Sequence, residues 1–178
     1  APVMAWKDLS SALRVYIILL ALAASAALAH QYSLTPVIGL SWSLLLSTIL
    51  AFVTARFNVR IPLTDVHFSM DTAFIFAILM IFGPLEAILA DGVSKIINTW
   101  PQIPDKKKSW YKIPFNVASG WLSVYAAGMA YRLLLPGNPV SADYVLPLLC
   151  MTLAYFAVNS GTVAGAMTIP SSVLGAND

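Results

Sequence analysis

Charged residues and cysteine are scarce in this sequence. Of 178 residues, 10% are charged and one, Cys150, is a cysteine, whereas soluble domains normally contain about 25% charged residues. A single cysteine cannot form an intrachain disulfide, a CxxC zinc site or an iron–sulfur cluster. Ten Lys and Arg residues against eight Asp and Glu are too few and too scattered for the phosphate contacts that nucleic acid requires. We therefore expect no cysteine metal centre and no nucleic-acid partner.

Catalytic signatures are also missing from the sequence. No GxSxG, HExxH or GxxxxGK[ST] spacing occurs, and the glycines are too dispersed to build a phosphate-binding loop. Paired carboxylates can act as acid and base, but the spacing of Asp71 and Asp91 gives no support for a hydrolase. The sequence therefore predicts a protein without catalysis of its own and without a bound metal, and it leaves any cofactor unknown.

Long apolar runs are abundant. The chain is 59% hydrophobic with a mean hydropathy of +0.79, and a membrane-spanning helix needs roughly 20 mostly apolar residues. Between an N-terminal segment (1–12) and a C-terminal tail (170–178), six runs approach that length. They cover about residues 13–29, 36–55, 69–82, 84–99, 113–135 and 144–169. We therefore predict an all-α, polytopic integral membrane protein with about six transmembrane helices.

The basic residues predict the orientation of these helices. With six crossings, every Lys and Arg except Arg132 falls on one side, and cytoplasmic loops are enriched in such residues. We therefore expect both termini in the cytoplasm and a multi-pass protein of the bacterial inner membrane. A single re-entrant hairpin made from 69–82 and 84–99 would give the same charge distribution.

The N-terminal region has an alternative interpretation. Lys7 and Arg14, an apolar stretch and the run Ala27-Leu28-Ala29 match the pattern of a secretory signal peptide with an A-x-A cleavage site. A further membrane helix follows, rather than an exported soluble domain. Retention as a first span is the simpler interpretation.

Four polar residues inside the predicted spans are candidates for binding a ligand. Ionisable groups cost about 2.5–3.5 kcal/mol in a membrane helix, so Asp71 and Asp91 stand out. Asp71 lies near a helix start, where the helix dipole favours a carboxylate, and Asp91 can pair with Lys95 at i+4. Asn116 and Asn159 are also candidates, although hydrogen bonds between helices would account for both amides.

Two histidines and one small-residue face complete the set of candidates. His30 and His67 could each ligate a chlorophyll-type pigment, but they are expected on opposite sides of the membrane and cannot share a metal.

Ala157, Gly161 and Gly165 recur every four residues, which is the spacing that lets membrane helices approach closely. Packing within the bundle is the simpler role for this face, and dimerisation is the alternative.

The sequence resembles a bacterial membrane module along about residues 10–170. The similarity rests on Phe68-Ser69-Met70-Asp71-Thr72-Ala73-Phe74, Gly83-Pro84, Trp110-Tyr111-Lys112-Ile113-Pro114-Phe115-Asn116 and Tyr155-Phe156-Ala157-Val158-Asn159. These runs resemble the six-helix N-terminal module of HD-GYP, GAF or GGDEF signalling proteins. The resemblance implies a membrane anchor and sensor followed by a cytoplasmic output domain, although no HD pair or GGDEF stretch lies within the 178 residues.

Two other functions remain open on the sequence. One is an accessory transmembrane subunit of a larger respiratory or photosynthetic complex, in contact with pigment or lipid. The other is a small-molecule binding subunit similar to the S-components of vitamin transporters, with Asp91, Asn116 and Asn159 in its pocket. The expected partners are the lipid bilayer and either other transmembrane subunits or an output domain.

Overall fold

The computed structural model describes residues 5–35, 42–55, 58–60, 67–69, 71–102, 109–135 and 141–169. Within these residues the chain forms six α-helices and one short β-hairpin, so the helical prediction is confirmed. The α-helices and strands are α1 (Ser11–Leu34), α2 (Trp42–Ala55), β1 (Asn58–Arg60), β2 (His67–Ser69), α3 (Asp71–Ile81), α4 (Pro84–Gln102), α5 (Lys112–Leu134) and α6 (Val145–Thr168). Two short 3₁₀ helices, Trp6–Asp8 and Ser141–Tyr144, precede α1 and α6.

Local sequence explains where several helices begin and end. The Ser10 hydroxyl accepts a hydrogen bond from the Leu13 amide (3.2 Å) and caps α1. Gly83 has φ +117, a conformation that L side chains rarely adopt, and it closes the tight turn between α3 and α4. Pro84 then begins α4, where its missing N–H removes no helical hydrogen bond.

The β-hairpin is a feature that the sequence analysis did not anticipate. β1 and β2 pair antiparallel, with Asn58 opposite Ser69 and Arg60 opposite His67. Ser69, where the sequence placed the start of the third span, therefore lies in β2, and α3 begins at Asp71. The hairpin returns the chain from the end of α2 to the start of α3.

From α3 to α6, helices that are consecutive in the chain run in opposite directions. Asn116, early in α5, donates to Thr99, late in α4, and Ser119 of α5 donates to Asn159, late in α6. The turn at Gly83 makes α3 and α4 antiparallel. These contacts place the starts of α3 and α5 at the same end of the bundle as the ends of α4 and α6.

α1 follows the same alternation. Its Tyr16, near the start, donates to the Thr162 carbonyl near the end of α6 (2.9 Å), whereas His30, near the end of α1, meets Tyr125 in the second half of α5. α1 is therefore antiparallel to α6 and parallel to α5. We call the end where α1, α3 and α5 start the basic end, because Lys7 and Lys112 lie there, and the other the Arg132 end.

Apolar side chains are distributed differently from those of a soluble protein. Long aliphatic side chains of three helices point outward, including Val15, Leu19 and Leu22 of α1, Leu45, Leu46 and Ile49 of α2, and Leu149 and Leu153 of α6. The buried set contains aliphatic residues and also ten polar ones, among them Gln31, Asp71, Asp91, Ser94 and Ser123. An apolar exterior around small and polar interior contacts is typical of helices packed in lipid.

Length and hydropathy together distinguish α1 and α6 from the other four helices. Within the described residues, α1 and α6 are long and apolar enough to span a membrane, and at 1.5 Å per residue each measures about 36 Å. α2 has 14 residues and α3 has 11, so α3 is only about 16 Å long, roughly half of a typical hydrocarbon layer. Two candidate membrane-spanning helices are therefore present in the structure, with shorter apolar helices between them.

Candidate functional site

A polar stripe runs along α4 and faces the interior of the bundle. Asp91, Ser94, Lys95 and Asn98 occur at the spacing i, i+3, i+4 and i+7, which places them on one helix face. Asp91 is 1% exposed and Ser94 is fully buried. We call this set the α4 stripe.

The α4 stripe binds the first residue of α3. The Ser94 hydroxyl donates to Asp71 Oδ2 (2.8 Å), and Asn98 Nδ2 donates in turn to Ser94 Oγ (3.4 Å). Asp71 stands at a helix start, as the sequence indicated, but it is 1% exposed and is bonded across to a second helix. Its role therefore includes joining α3 to α4.

Asp91 and Lys95 form the ion pair expected from their i, i+4 spacing. Lys95 Nζ lies 3.8 Å from Asp91 Oδ1, and the Lys95 side chain is 21% exposed. That separation is too long for a hydrogen bond. Within the described residues, neither oxygen of Asp91 has a hydrogen-bond partner, and the same holds for Asp71 Oδ1.

Two glycines allow α5 to approach the α4 stripe closely. A Cβ atom on Gly120 would overlap Asp91 Oδ2 and would lie 3.2 Å from Lys95 Cε. A Cβ on Gly92 would likewise overlap the indole nitrogen of Trp121, which is buried without a hydrogen-bond partner in the described part of the chain. The carboxylate of Asp91 therefore lies directly against the α5 backbone at Gly120.

α6 closes the cluster with a buried phenol. Tyr155 is 2% exposed, packs edge-to-face on Phe76 with 5.2 Å between ring centroids, and interacts electrostatically with Lys95, Asp91 and Asp71. Tyr155, Ser94 and Gly120 were not predicted from the sequence as site residues. The i+3 spacing of Ser94 from Asp91 could have identified Ser94 in the sequence, because it places both residues on one helix face. The contributions of Tyr155 and Gly120 depend on contacts between helices.

The two predicted asparagines lie in a neighbouring set of interhelical hydrogen bonds. Asn116 Nδ2 donates to Thr99 Oγ1 (2.9 Å), and Asn159 Oδ1 accepts from Ser119 Oγ (3.4 Å). Ser119 also bonds to the Thr162 hydroxyl. The structure thus gives both amides partners on other helices, and it places them beside the α4 stripe rather than within its hydrogen bonds.

The histidines lie at opposite ends of the bundle. His30 Nδ1 is 3.2 Å from the Tyr125 hydroxyl, and the two rings meet edge-to-face. His67 belongs to β2 at the basic end, and its side chain lies outside the described part of the structure. Within the described residues, no group of three or more His, Cys, Asp or Glu side chains could hold a metal ion.

The small-residue face of α6 is divided between two environments. A Cβ on Gly165 would lie 2.7 Å from the Tyr16 hydroxyl of α1, whereas one on Gly161 would meet no heavy atom within 4 Å. Ala157 and Gly161 are exposed. Gly165 therefore contributes to packing of α6 on α1, and the other two residues face outward.

A cavity of about 250 Å³ lies at the Arg132 end. It is lined by the turn between α3 and α4, including Phe82 and Gly83, and by Tyr131, Arg132 and Leu135 of α5. The α4 stripe does not open into it. The buried ionisable cluster, rather than this cavity, is therefore the candidate site.

Comparisons with known proteins do not assign the chain to a family: no family model, no curated protein and no solved structure matches it. Function therefore has to be inferred from the interior cluster and from the surface of the bundle.

Proposed function

We propose that the chain is the membrane-embedded sensory and anchoring module of a bacterial signalling protein, without catalysis of its own. Its six helices lie in the inner membrane with both termini in the cytoplasm, and its partner is a cytoplasmic output domain. The observation that carries this proposal is the buried Asp71–Asp91–Lys95 cluster inside an exterior of Leu, Ile and Val side chains. Ionisable groups retained inside a membrane bundle mark functional sites by default.

The alternating helix directions support the proposed topology. They bring Lys7, Arg14 and Lys112 to the basic end, whereas Arg132 lies at the other end. An excess of Lys and Arg on one side is typical of the cytoplasmic face. The short α3 would then reach only part of the way through the bilayer.

The residues that carry the resemblance to signalling modules also support the proposal. Asp71, Asn116 and Asn159 each belong to one of the runs that resemble the signalling modules. Each forms a hydrogen bond to a helix other than its own. A change of spacing between these helices would therefore be transmitted to the end of α6. An output domain would follow the end of α6 and would receive this change of spacing.

Cysteine accessibility in intact cells tests the topology. In a Cys150→Ser background, Lys112→Cys and Leu135→Cys place one thiol at each end of α5. A membrane-impermeant maleimide added to spheroplasts should label Leu135→Cys, and it should label Lys112→Cys only after the membrane is broken. The opposite pattern would invert the topology, and equal labelling of both variants in intact spheroplasts would contradict a spanning α5.

The mass of the native polypeptide tests the signalling role. Extracted mildly from its own membrane, the polypeptide should be much heavier than 19.2 kDa, because an output domain would be fused to the membrane module. A mass of 19.2 kDa in a defined larger assembly would instead favour an accessory subunit.

One observation favours that second function, an accessory subunit of a larger membrane complex. Ala157 and Gly161 face outward, and Gly161 has open space where a side chain would be. Small residues on an exposed helix face allow another helix to approach closely. Gly161→Leu should then weaken co-purification with the complex, whereas Leu153→Ala, at a position that is also exposed on α6, should have a smaller effect.

A further inference from the structure

Among the described residues, the charges of the interior cluster do not balance. Asp71 and Asp91 are each 1% exposed, and Lys95 is the cation within ion-pair distance of Asp91. If both carboxyl groups were ionised, the cluster would carry one uncompensated negative charge. Burying such a charge is so unfavourable that the group is normally neutralised instead.

The hydrogen bonds of the cluster are also incomplete for two ionised carboxylates. An ionised carboxylate only accepts hydrogen bonds, and each oxygen has room for two. In the described structure Ser94 donates to one oxygen of Asp71, whereas the remaining three oxygens of the two residues receive no hydrogen bond. If one of the two carboxyl groups is protonated, its O–H supplies a hydrogen-bond donor among these unpaired oxygens.

The charged and titratable neighbours of Asp91 come from three helices. Asp71 belongs to α3, Lys95 to α4 itself and Tyr155 to α6. The helix α5 contributes Gly120 and Trp121, which are not ionisable, and the sequence of α2 contains no ionisable residue. The ionisable side chains of α1 are those of Arg14, Tyr16, His30 and Tyr32, and none of them is among the groups that act on Asp91.

The packing around Asp91 determines which cation fits. Because a Cβ on Gly120 would already overlap Asp91 Oδ2, the side of the carboxylate that faces α5 has no space for a hydrated metal ion or an organic ammonium group. A proton requires no such space. The Ser94 and Asn98 side chains extend the polar stripe from the carboxyl groups toward the basic end, which is the direction from which a proton would enter.

We propose that Asp71 and Asp91 form a proton-binding site, in which the pair holds one proton and Lys95 balances the remaining negative charge. The proton comes from water at the basic end, and its uptake changes no other covalent bond. This inference rests on the proposed membrane location and names the proton as the signal that the module detects. Release of the proton would leave two buried carboxylates, and their repulsion would separate α3 from α4.

Infrared spectroscopy of the full chain in lipid vesicles tests the proposal. A protonated carboxyl group has a carbonyl stretching band that an ionised carboxylate lacks and that shifts in heavy water. At neutral pH the wild type should show this band, and alkaline titration should remove it. Absence of the band at neutral pH in the wild type would overturn the proposal, and this measurement needs no variant.

Three substitutions identify the groups that hold the proton. Asp91→Asn and Asp71→Asn should each abolish the band, because one carboxylate remains and Lys95 already balances it. Asp8→Asn, at an exposed acid outside the bundle, should leave the band unchanged. A band that survives both interior substitutions would place the proton elsewhere and overturn the proposal.

Two further measurements separate the alternatives. Lys95→Met should bring a second proton into the pair and about double the area of the band, because the compensating cation is lost. Replacing choline chloride with sodium chloride should have no effect, and loss of the band in sodium would identify a metal cation site instead.

Cysteine labelling reports topology independently, so a wrong topology with the band intact is distinguishable from a correct topology without it.

Discussion

Gly120 of α5 lies directly against the carboxylate of Asp91 in α4, so closely that a methyl group on Gly120 would occupy the position of Asp91 Oδ2. This contact joins the candidate site to the packing of the bundle. A side chain at Gly120 would have to displace either the ion pair between Asp91 and Lys95 or the whole of α5.

Gly120→Ala should therefore destabilise the protein by about 1–3 kcal/mol, the usual range for overpacking a close-packed interior. The measurement is the helical circular dichroism signal during titration with a denaturing detergent. Gly161→Ala is the matched control, because a Cβ there meets no heavy atom within 4 Å. It should be neutral or stabilising by up to about 1 kcal/mol, since alanine is the better helix former. Equal losses at the two positions would contradict the close contact.

Ser94→Ala should cost about 1–3 kcal/mol, because it leaves both oxygens of the buried Asp71 without a partner. Ser25→Ala removes a hydroxyl that bonds only to the carbonyl of Ala21 in its own helix on an exposed face. Its effect should stay within about 0.5 kcal/mol. The same detergent titration compares the two variants, and an unchanged midpoint for Ser94→Ala would show that the bond across helices contributes nothing to stability.

Gln31→Leu should stabilise the protein. The Gln31 side chain is fully buried, and its amide nitrogen and oxygen have no hydrogen-bond partner within the described residues. Each such group carries a desolvation cost of about 1–3 kcal/mol, which leucine removes at similar volume. Loss of stability instead would show that the amide is satisfied by a group that binds at this position. Ser33→Ala, nearby and exposed, should change little.

Tyr16→Phe should cost about 0.5–1.5 kcal/mol, the net value of a typical hydrogen bond. The Tyr16 hydroxyl donates to the Thr162 carbonyl and joins the start of α1 to the end of α6. Tyr32→Phe, at a side chain that is 54% exposed, is the control and should have no measurable effect. Because Tyr16 also contacts Gly165, increased protease sensitivity near the end of α6 would be a second sign of the lost contact.

The presence of six α-helices followed from the sequence, because each helix appears there as a long, mostly apolar run. The ion pair of Asp91 with Lys95 also followed, since four residues return a helix to the same face. The turn between α3 and α4 likewise depends on two adjacent residues, Gly83 and Pro84. Each of these features depends on residues close together in the chain.

Only the tertiary structure decided which polar groups meet. Asp71 forms a hydrogen bond with Ser94, Asn116 forms one with Thr99, and Tyr155 interacts with Lys95. These pairs meet because α3, α5 and α6 pack on α4. Helical periodicity predicts which face of a helix is polar, but not which neighbour covers it, because many pairings bury similar apolar area. The short β-hairpin before α3 was missed for a related reason, since three-residue strands carry no periodic signal and depend on pairing with each other.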